Sequence, residues 1–239
     1  MTAPLRDRTA AVTGASRGIG LAIARRLGAE GARVAVLSRD RESVARAART
    51  VGRDALAVVC DVRDPGAVAR ALDAISTQFG DVPDAIVCAA GTFTLARVRD
   101  ADPNAFADAI AVNLFGPFLI VRAVLPRMLE RGSGHCVLIG SVADRHAYPE
   151  NGAYAASKFG ARGLWEVLRA ELRGSGVRAT LVSPGPTDTP LWDAHDPDAR
   201  EGFVPRASML RPDAVADAVA YALTRPPGVL IEELRLSSA

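Results

Sequence analysis

The sequence predicts an α/β protein, a three-layer, doubly wound arrangement with a central parallel sheet of about seven strands. Short apolar runs alternate with longer stretches of helical periodicity along the whole chain, which is the order of a strand–helix repeat. Most of these runs are continuously apolar, as strands buried on both faces of a parallel sheet require. The first run, moreover, passes into a helix through Gly14-Ala15-Ser16-Arg17-Gly18-Ile19-Gly20.

In order, Thr9 to Thr13 is short and β-prone, and Leu21, Ile23, Ala24 and Leu27 then recur at helical spacing until Gly31. Arg33 to Leu37 reads as a buried strand, Arg41 to Thr50 as an alanine- and arginine-rich helix, and Ala55 to Cys60 as a strand ending at Asp61. Asp64-Pro65 opens a helix to about Phe79, because aspartate caps free amides and proline suits a first turn. Ala85 to Ala89 is the fourth strand. Asp102-Pro103 opens a long helical stretch through Asn113 toward Arg131, which Pro117 and Pro126 are expected to bend or divide. Strands at Cys136 to Gly140 and Val177 to Val182 flank a helix carrying Tyr154 and Lys158. A loop over residues 185–211, read as a substrate lid, precedes a helix from Pro212 to Leu223 and a strand from Val229 to Leu236.

No linker or repeat divides the 239 residues, so one domain over 1–239 is expected. The net charge is +2 with both signs interspersed, and no basic stripe tracks a nucleic acid backbone. Met1 to Arg8 lacks an apolar signal core and no uninterrupted apolar stretch has membrane-spanning length, so the expectation is a cytoplasmic protein with neither nucleic acid nor membrane as partner. Cys60, Cys88 and Cys136 lie in or at the ends of apolar runs, as buried reduced thiols do, and His135, His146 and His195 make no metal-ligand spacing with them. No metal is expected.

Lys158 is the only lysine, against 28 arginines. A chain that writes arginine wherever positive charge is wanted points, by this exception, to a place that needs an ammonium. Arginine is bulkier, planar and beyond the reach of a proton relay. On a helix the spacing of four sets Tyr154 and Lys158 on one face, where an ammonium favours the phenolate. Lowering a tyrosine pKa from about 10 to about 7 takes about 4 kcal/mol.

Gly14, Gly18 and Gly20 stand where the first strand turns into the first helix, the place for a dinucleotide pyrophosphate on free helix amides. The second strand ends Leu37-Ser38-Arg39, with arginine where NAD-binding folds tend to carry a carboxylate. Arg39, with Arg17 approaching from the glycine turn, suits a 2′-phosphate, so NADP(H) is favoured over NAD(H). Asp40 would weaken that preference if its carboxylate faced the ribose. Ser141, delivered by the strand before it, can hold a carbonyl oxygen. Asn113 sits among Val112, Leu114 and Phe115, where a buried amide must find partners.

With these residues in hand, the chain resembles the classical short-chain dehydrogenase/reductase family. The resemblance covers nearly the full length and rests on Thr13 to Gly20, Asp61, Asn113, Ser141, Tyr154, Lys158 and Ser183-Pro184-Gly185-Pro186-Thr187-Asp188-Thr189. It implies a Rossmann fold and a catalytic tetrad. Tyr154 would be the acid or base, and Ser141 would orient the substrate oxygen. Lys158 would bind the nicotinamide ribose and depress the tyrosine pKa, and Asn113 would hold a water linking Lys158 to solvent. It further implies that Asp61 and Val62 touch the adenine and that Thr187 and Thr189 bind the carboxamide or phosphate region. The cofactor-contacting set is completed by Ser16, Ile19, Ser38, Ala90, Gly91, Pro184 and Gly185. The chain departs at Ala89, where the family usually has an asparagine that braces the central strand, and local stability is in question there.

The function so implied is an NADP(H)-dependent oxidoreductase acting on a carbonyl or secondary alcohol, most simply a ketone or 3-oxoacyl-type reductase. The alternatives are an NAD(P)-dependent alcohol dehydrogenase working oxidatively and a catalytically silent dinucleotide-binding sensor or partner subunit. Thr92, Phe93, Val142, His146, Tyr148, Trp192, His195 and Phe203 fall in segments expected to border a partly apolar pocket. Arg145 could meet an acidic group. Small residues along the catalytic helix permit close packing, and the resemblance implies a homodimer or homotetramer.

Overall fold

The structure is a computed structural model that describes residues 4–52 and 54–239. Met1 to Ala3, part of the segment expected to lack a signal core, lie outside the described residues. Among the described residues the order is β1 (Thr9–Thr13), α1 (Gly18–Ala29), β2 (Arg33–Ser38), α2 (Arg41–Val51), β3 (Leu56–Val59), α3 (Pro65–Phe79), β4 (Ala85–Cys88) and α4 (Pro103–Ile110). A π-helical turn (Ala111–Phe115) follows, then α5 (Gly116–Glu130), β5 (Gly134–Ile139), α6 (Gly152–Glu171), β6 (Val177–Pro184), α7 (Pro212–Leu223) and β7 (Glu233–Leu236). The strands form one wholly parallel sheet, ordered β3-β2-β1-β4-β5-β6-β7.

Side chains alternate across the sheet, and both faces are covered. Ala10, Val12, Val34 and Val36 pack with Ile23 and Leu27 of α1, Val44 of α2 and Val215 and Val219 of α7. Ala11, Leu37, Ile86 and Leu138 pack on the other side with Ile75 of α3, Ile120 and Val124 of α5 and Trp165 of α6. This is the expected doubly wound Rossmann architecture. The connections reverse direction at β1, whose neighbours are β2 and β4, and that reversal opens a crevice beyond the carboxyl ends of β1 and β4.

Most element ends fall within two residues of the sequence-based expectation, and the larger differences lie in the long helical stretch and the last strand. The long helical stretch is divided, as expected of Pro117, but by a π turn centred on Asn113: Pro117 carries no N–H for the Asn113 carbonyl four residues back, and the helix widens there. Pro126 lies inside α5 without ending it. The last strand is confined to Glu233–Leu236, with Val229 and Leu230 outside it and partly exposed, because only residues 233–236 find partners on β6. By length and composition Pro103–Glu130 reaches membrane-spanning dimensions, although polar residues interrupt it, and half of its 18-residue apolar window is buried in the protein, with Ile120, Val124 and Met128 in the core. Cys60, Cys88 and Cys136 are free and buried, and burial pushes Cys60 up to about 11 and Cys136 up to about 12.

Candidate active site

The glycine turn lies against the segment that leaves β4. Gly14 has φ +65°, and a Cβ there would come within 2.6 Å of the Ala90 Cα, so no other residue fits this approach. Thr13, at the end of β1, takes up the bracing that Ala89 cannot provide: its Oγ1 accepts from the main-chain N–H groups of Ala89 at 3.0 Å and Ala90 at 3.1 Å. The missing asparagine therefore leaves neither amide unpaired.

At the start of α1, Arg17 occupies the cap position with extended backbone and no side-chain cap, so the first amides of the helix face the crevice without an internal partner. A Cβ on Gly20 would lie 2.5 Å from the Gly14 oxygen, and one on Gly18 would lie 3.3 Å from Thr189. The turn is thus a close-walled cradle of amides, flanked by half-buried Ser16 and Ile19 and closed by Thr189 from the segment after β6. In that segment the Gly185 N–H donates to the Leu236 oxygen, Thr187 Oγ1 donates to the Gly185 oxygen at 3.0 Å, and Pro184 is buried. These features fit a dinucleotide pyrophosphate.

Beyond the cradle, Arg17 and Arg39 are exposed. Arg63, Arg127, Arg145 and Arg206 are each held by carboxylates, whereas among the described residues Arg17 and Arg39 have none within ion-pair distance. Asp40 is committed elsewhere: its carboxylate caps α2, accepting from the Ser43 N–H at 2.7 Å, and that hydrogen bonding holds it below the usual carboxylate range. Ser38 Oγ donates to the Asp40 carbonyl. Asp61 is gripped by Arg63, whose Nε and Nη2 lie 3.0 and 2.6 Å from its oxygens while Nη1 reaches Asp108. These bonds keep Asp61 ionised, and the charge of Arg39 adds to them. Val62 beside it is buried.

On the other side of the crevice, Ser141 follows β5 and caps a short 3₁₀ turn (Val142–Asp144), its Oγ accepting from the Ala143 N–H at 3.1 Å. That bond uses an acceptor site, and the hydroxyl proton remains available to another oxygen. Lys158 is buried, and its Nζ donates to the Ile139 oxygen at 2.9 Å, leaving two further protons to give. The ammonium lies 5.5 Å from the centre of the Tyr154 ring. Burial pulls Lys158 down to about 8. For Tyr154 the balance is the reverse of the simple ammonium–phenol expectation: burial raises it to about 12, and the Ser141 hydroxyl only partly opposes this.

Asn113, in the π turn, has both amide protons engaged. Nδ2 donates to the Thr92 oxygen at 3.0 Å and to Ser157 Oγ at 2.9 Å, while Oδ1 accepts from the Thr92 N–H at 2.9 Å. Its side chain therefore clamps the backbone after Gly91 and offers no N–H to a water. That clamp sets Phe93 in place, 4.9 Å from Tyr154 and 5.0 Å from both Trp192 and His195 in edge-on contacts, with Phe203 behind Trp192. Trp192 Nε1 donates to the Thr187 oxygen, and Arg200, stacked on Phe203, pairs with Glu150 at 2.5 Å. The segment expected to be a lid contains three short 3₁₀ turns (Pro190–Trp192, Pro197–Ala199 and Arg206–Ser208), and the first meets Tyr154 only through Phe93. His146 and Tyr148 are exposed and take no part in this aromatic group.

Two charged residues were not identified from the sequence. Arg63 orients Asp61, and Asp144 is buried directly behind Ser141. The only advance signal for Asp144 was Ser141-Val142-Ala143-Asp144, the spacing of a capping box. Arg145, considered for an acidic substrate group, is occupied by Glu233 at 2.6 Å.

A family model described as short chain dehydrogenase matches residues 8–200. A D-threitol dehydrogenase of Mycolicibacterium smegmatis is 38% identical over 224 residues, covering 91% of this chain and 86% of that protein. An uncharacterized oxidoreductase of Staphylococcus aureus is 34% identical, with 96% of each chain covered. Among solved structures, a metagenomic short-chain oxidoreductase in complex with NADP superposes with a TM-score of 0.84 at 32% identity, covering 99% of both chains. An alcohol dehydrogenase from Thermococcus sibiricus complexed with 5-hydroxy-NADP gives 0.85 at 30% identity and 97% of both. A 3-ketoacyl-(acyl-carrier-protein) reductase from Brucella melitensis complexed with NADH gives 0.86 at 26% identity and 98% of both.

Proposed function

Because the chain belongs to the short-chain dehydrogenase/reductase family, we propose that it is an NADP(H)-dependent oxidoreductase that interconverts a carbonyl and a secondary alcohol, working as a carbonyl reductase. The observation that carries this reading is the convergence of Ser141, Tyr154 and Lys158 at the carboxyl end of β5, on the same edge of the sheet as the glycine cradle after β1. When bound, the nicotinamide supplies or accepts the hydride. Gly14, Ser16, Gly18, Ile19 and Gly20 hold the pyrophosphate, and Ser38, Arg39 and Arg17 hold the 2′-phosphate. Asp61 and Val62 border the adenine, while Ala90, Gly91, Pro184, Gly185, Thr187 and Thr189 line the remainder.

Ser141 donates its free proton to the substrate oxygen and so fixes that oxygen beside Tyr154. Tyr154, protonated across the ordinary pH range because burial raises it, gives its proton to the oxygen during reduction. Lys158, tied to Ile139 by one proton, presents the others to the nicotinamide ribose and stabilises the phenolate left behind. Asn113 serves by its clamp on Thr92 and by a main-chain carbonyl that Pro117 cannot satisfy, where a water leading to Lys158 is to be sought. The Phe93–Trp192–Phe203 group keeps water from the exchange.

An oxidative role on a polyol or other alcohol is the second reading, favoured by the D-threitol dehydrogenase and alcohol dehydrogenase relatives. A silent sensor is disfavoured by Ser141 and Lys158, which both keep protons to donate. The proposal includes a cytoplasmic, single-domain protein assembled as a homodimer or homotetramer. Phe115 and Phe118 stack at 5.9 Å, and both are exposed, as is Phe159 of α6, so a second copy is the natural cover for them. The test is NADPH and NADH consumption against ketones, aldehydes, quinones and acyl thioesters, and the reverse reaction with alcohols, for the wild type and Tyr154→Phe. Turnover that falls about 10³-fold in the variant supports the reading. Tight NADPH binding without hydride transfer to any of these would leave the sensor.

A further inference from the structure

Asp144 is 1% exposed, and its surroundings are more elaborate than a turn requires. Its Oδ2 accepts from the Ser183 hydroxyl at 2.5 Å and lies 3.5 Å from the main-chain nitrogen of Ser141. The carboxylate thereby ties the end of β5 to the end of β6. It has room only because residue 140 is glycine, since a Cβ there would lie 2.8 Å from both Asp144 Oδ2 and Ser183 Oγ. Its Oδ1 sits 3.4 Å from Arg145 Nε without forming a hydrogen bond, and Arg145 is drawn away toward Glu233 of β7. The charge of Asp144 reaches both Tyr154 and Lys158 and favours the protonated form of each.

A three-residue 3₁₀ turn can be capped by an exposed aspartate at little cost. Burying the carboxylate with one oxygen unbonded is a destabilising choice, and a purely structural role does not explain it. We propose that Asp144 is a positioning residue of the reacting centre: its buried carboxylate, on a turn packed against α6, locks the strand ends that carry Ser141 and Ser183 and holds a negative charge against the helix of Tyr154 and Lys158. The inference rests on the reading of Ser141, Tyr154 and Lys158 as the groups that handle the substrate oxygen. The charged and titratable groups facing Asp144 are Arg145 from its own turn, Glu233 from β7, and Tyr154 and Lys158 from α6, with Glu166 of α6 reaching it through Arg145. Ser141 and Ser183 are neutral.

The experiment measures kcat against pH for the wild type, Asp144→Asn, Arg145→Gln and Tyr154→Phe, together with NADPH affinity by fluorescence and melting temperature. Removing the negative charge makes Tyr154 and Lys158 easier to deprotonate, so in Asp144→Asn the titrating limbs move to lower pH by roughly half a unit or more. Turnover falls between about 10- and 100-fold as a neutral amide oxygen grips the Ser183 hydroxyl and the Ser141 N–H less strongly than the carboxylate does, while NADPH affinity stays within about two-fold. In Arg145→Gln the carboxylate loses its counter-charge, and the limbs move to higher pH. A cap alone would lower the melting temperature of Asp144→Asn and leave its limbs in place, which overturns the proposal. If Asp144→Asn does not fold, Arg145→Gln decides, and unmoved limbs there overturn it as well. Wild-type turnover in Tyr154→Phe would instead bring down the reading of the centre, and the role of Asp144 with it.

Discussion

Lys158 donates from Nζ to the main-chain oxygen of Ile139 at 2.9 Å, which pins the only lysine of the chain to the end of the strand that delivers Ser141. One proton of the ammonium is thus spent on the scaffold, and two are directed by it. A guanidinium could make the same bond only by placing its plane where the small, partly desolvated ammonium now stands.

The pH dependence of reduction follows from this burial. Lys158 is pulled down to about 8, so its positive charge is complete below that pH and is lost as pH rises through it. Tyr154, raised to about 12, remains a proton donor over the same interval. Turnover in the reductive direction is therefore expected to be level on the acid side and to decline above about pH 8. Steady-state kinetics with a saturating ketone and NADPH across pH checks this, and a rate that climbs steadily from pH 8 upward would show that loss of the lysine charge does not limit reduction.

Cofactor choice depends on Arg39, because Asp40 is turned into the cap of α2. Arg39→Asp is expected to raise the NADPH KM by about 10²-fold, the worth of a charge-assisted hydrogen-bond set, while the NADH value changes far less. Parallel titrations with the two cofactors measure it. Equal losses for both would mean that Arg39 does not read the 2′-phosphate.

His135 gives a stability prediction independent of catalysis. It is buried at the start of β5, and its Nε2 meets Thr180 Oγ1 at 2.7 Å. Thr180 spends its own proton on the Ile231 oxygen, so Nε2 is the donor and the unbonded Nδ1 the deprotonated nitrogen. Burial pushes the group from 6.5 down to about 3, so below pH 6.5 the unfolded chain binds a proton that the folded one refuses. Stability present above that pH is lost as pH falls, at about 1.4 kcal/mol per unit, until the folded pKa is reached. Denaturant unfolding between pH 6 and 4 should show a slope shallower by about that amount in His135→Gln. Identical slopes in the two proteins would mean that His135 already carries its proton in the fold.

The strand–helix order and the glycine turn were legible because each rests on local rules: continuous apolar runs, an Asp-Pro start, glycines where a Cβ would clash. Asn113 shows where local rules stop. Its place in an apolar run marked it as a residue in need of partners, but the π turn that supplies them depends on Pro117 four residues later and on Thr92 and Ser157 from other elements. The capping-box spacing marked Asp144 only as a turn residue, since its burial is created by β6, by Gly140 and by the pull of Glu233 on Arg145. The Tyr154–Lys158 spacing correctly set the two on one face, yet only the packed structure reveals that desolvation outweighs their attraction. β7 was read too long because apolar content alone does not say where a neighbouring strand ends.

The most direct measurement is NADPH-dependent reduction by the wild type and Lys158→Arg side by side, with melting temperature and NADPH affinity followed for both. The account predicts a folded variant whose kcat/KM falls by at least about 10²-fold, because a planar guanidinium cannot hold the Ile139 oxygen, meet the ribose and serve the phenol from one small space. Turnover close to that of the wild type would contradict it, and the lone lysine would then be no more than another positive charge.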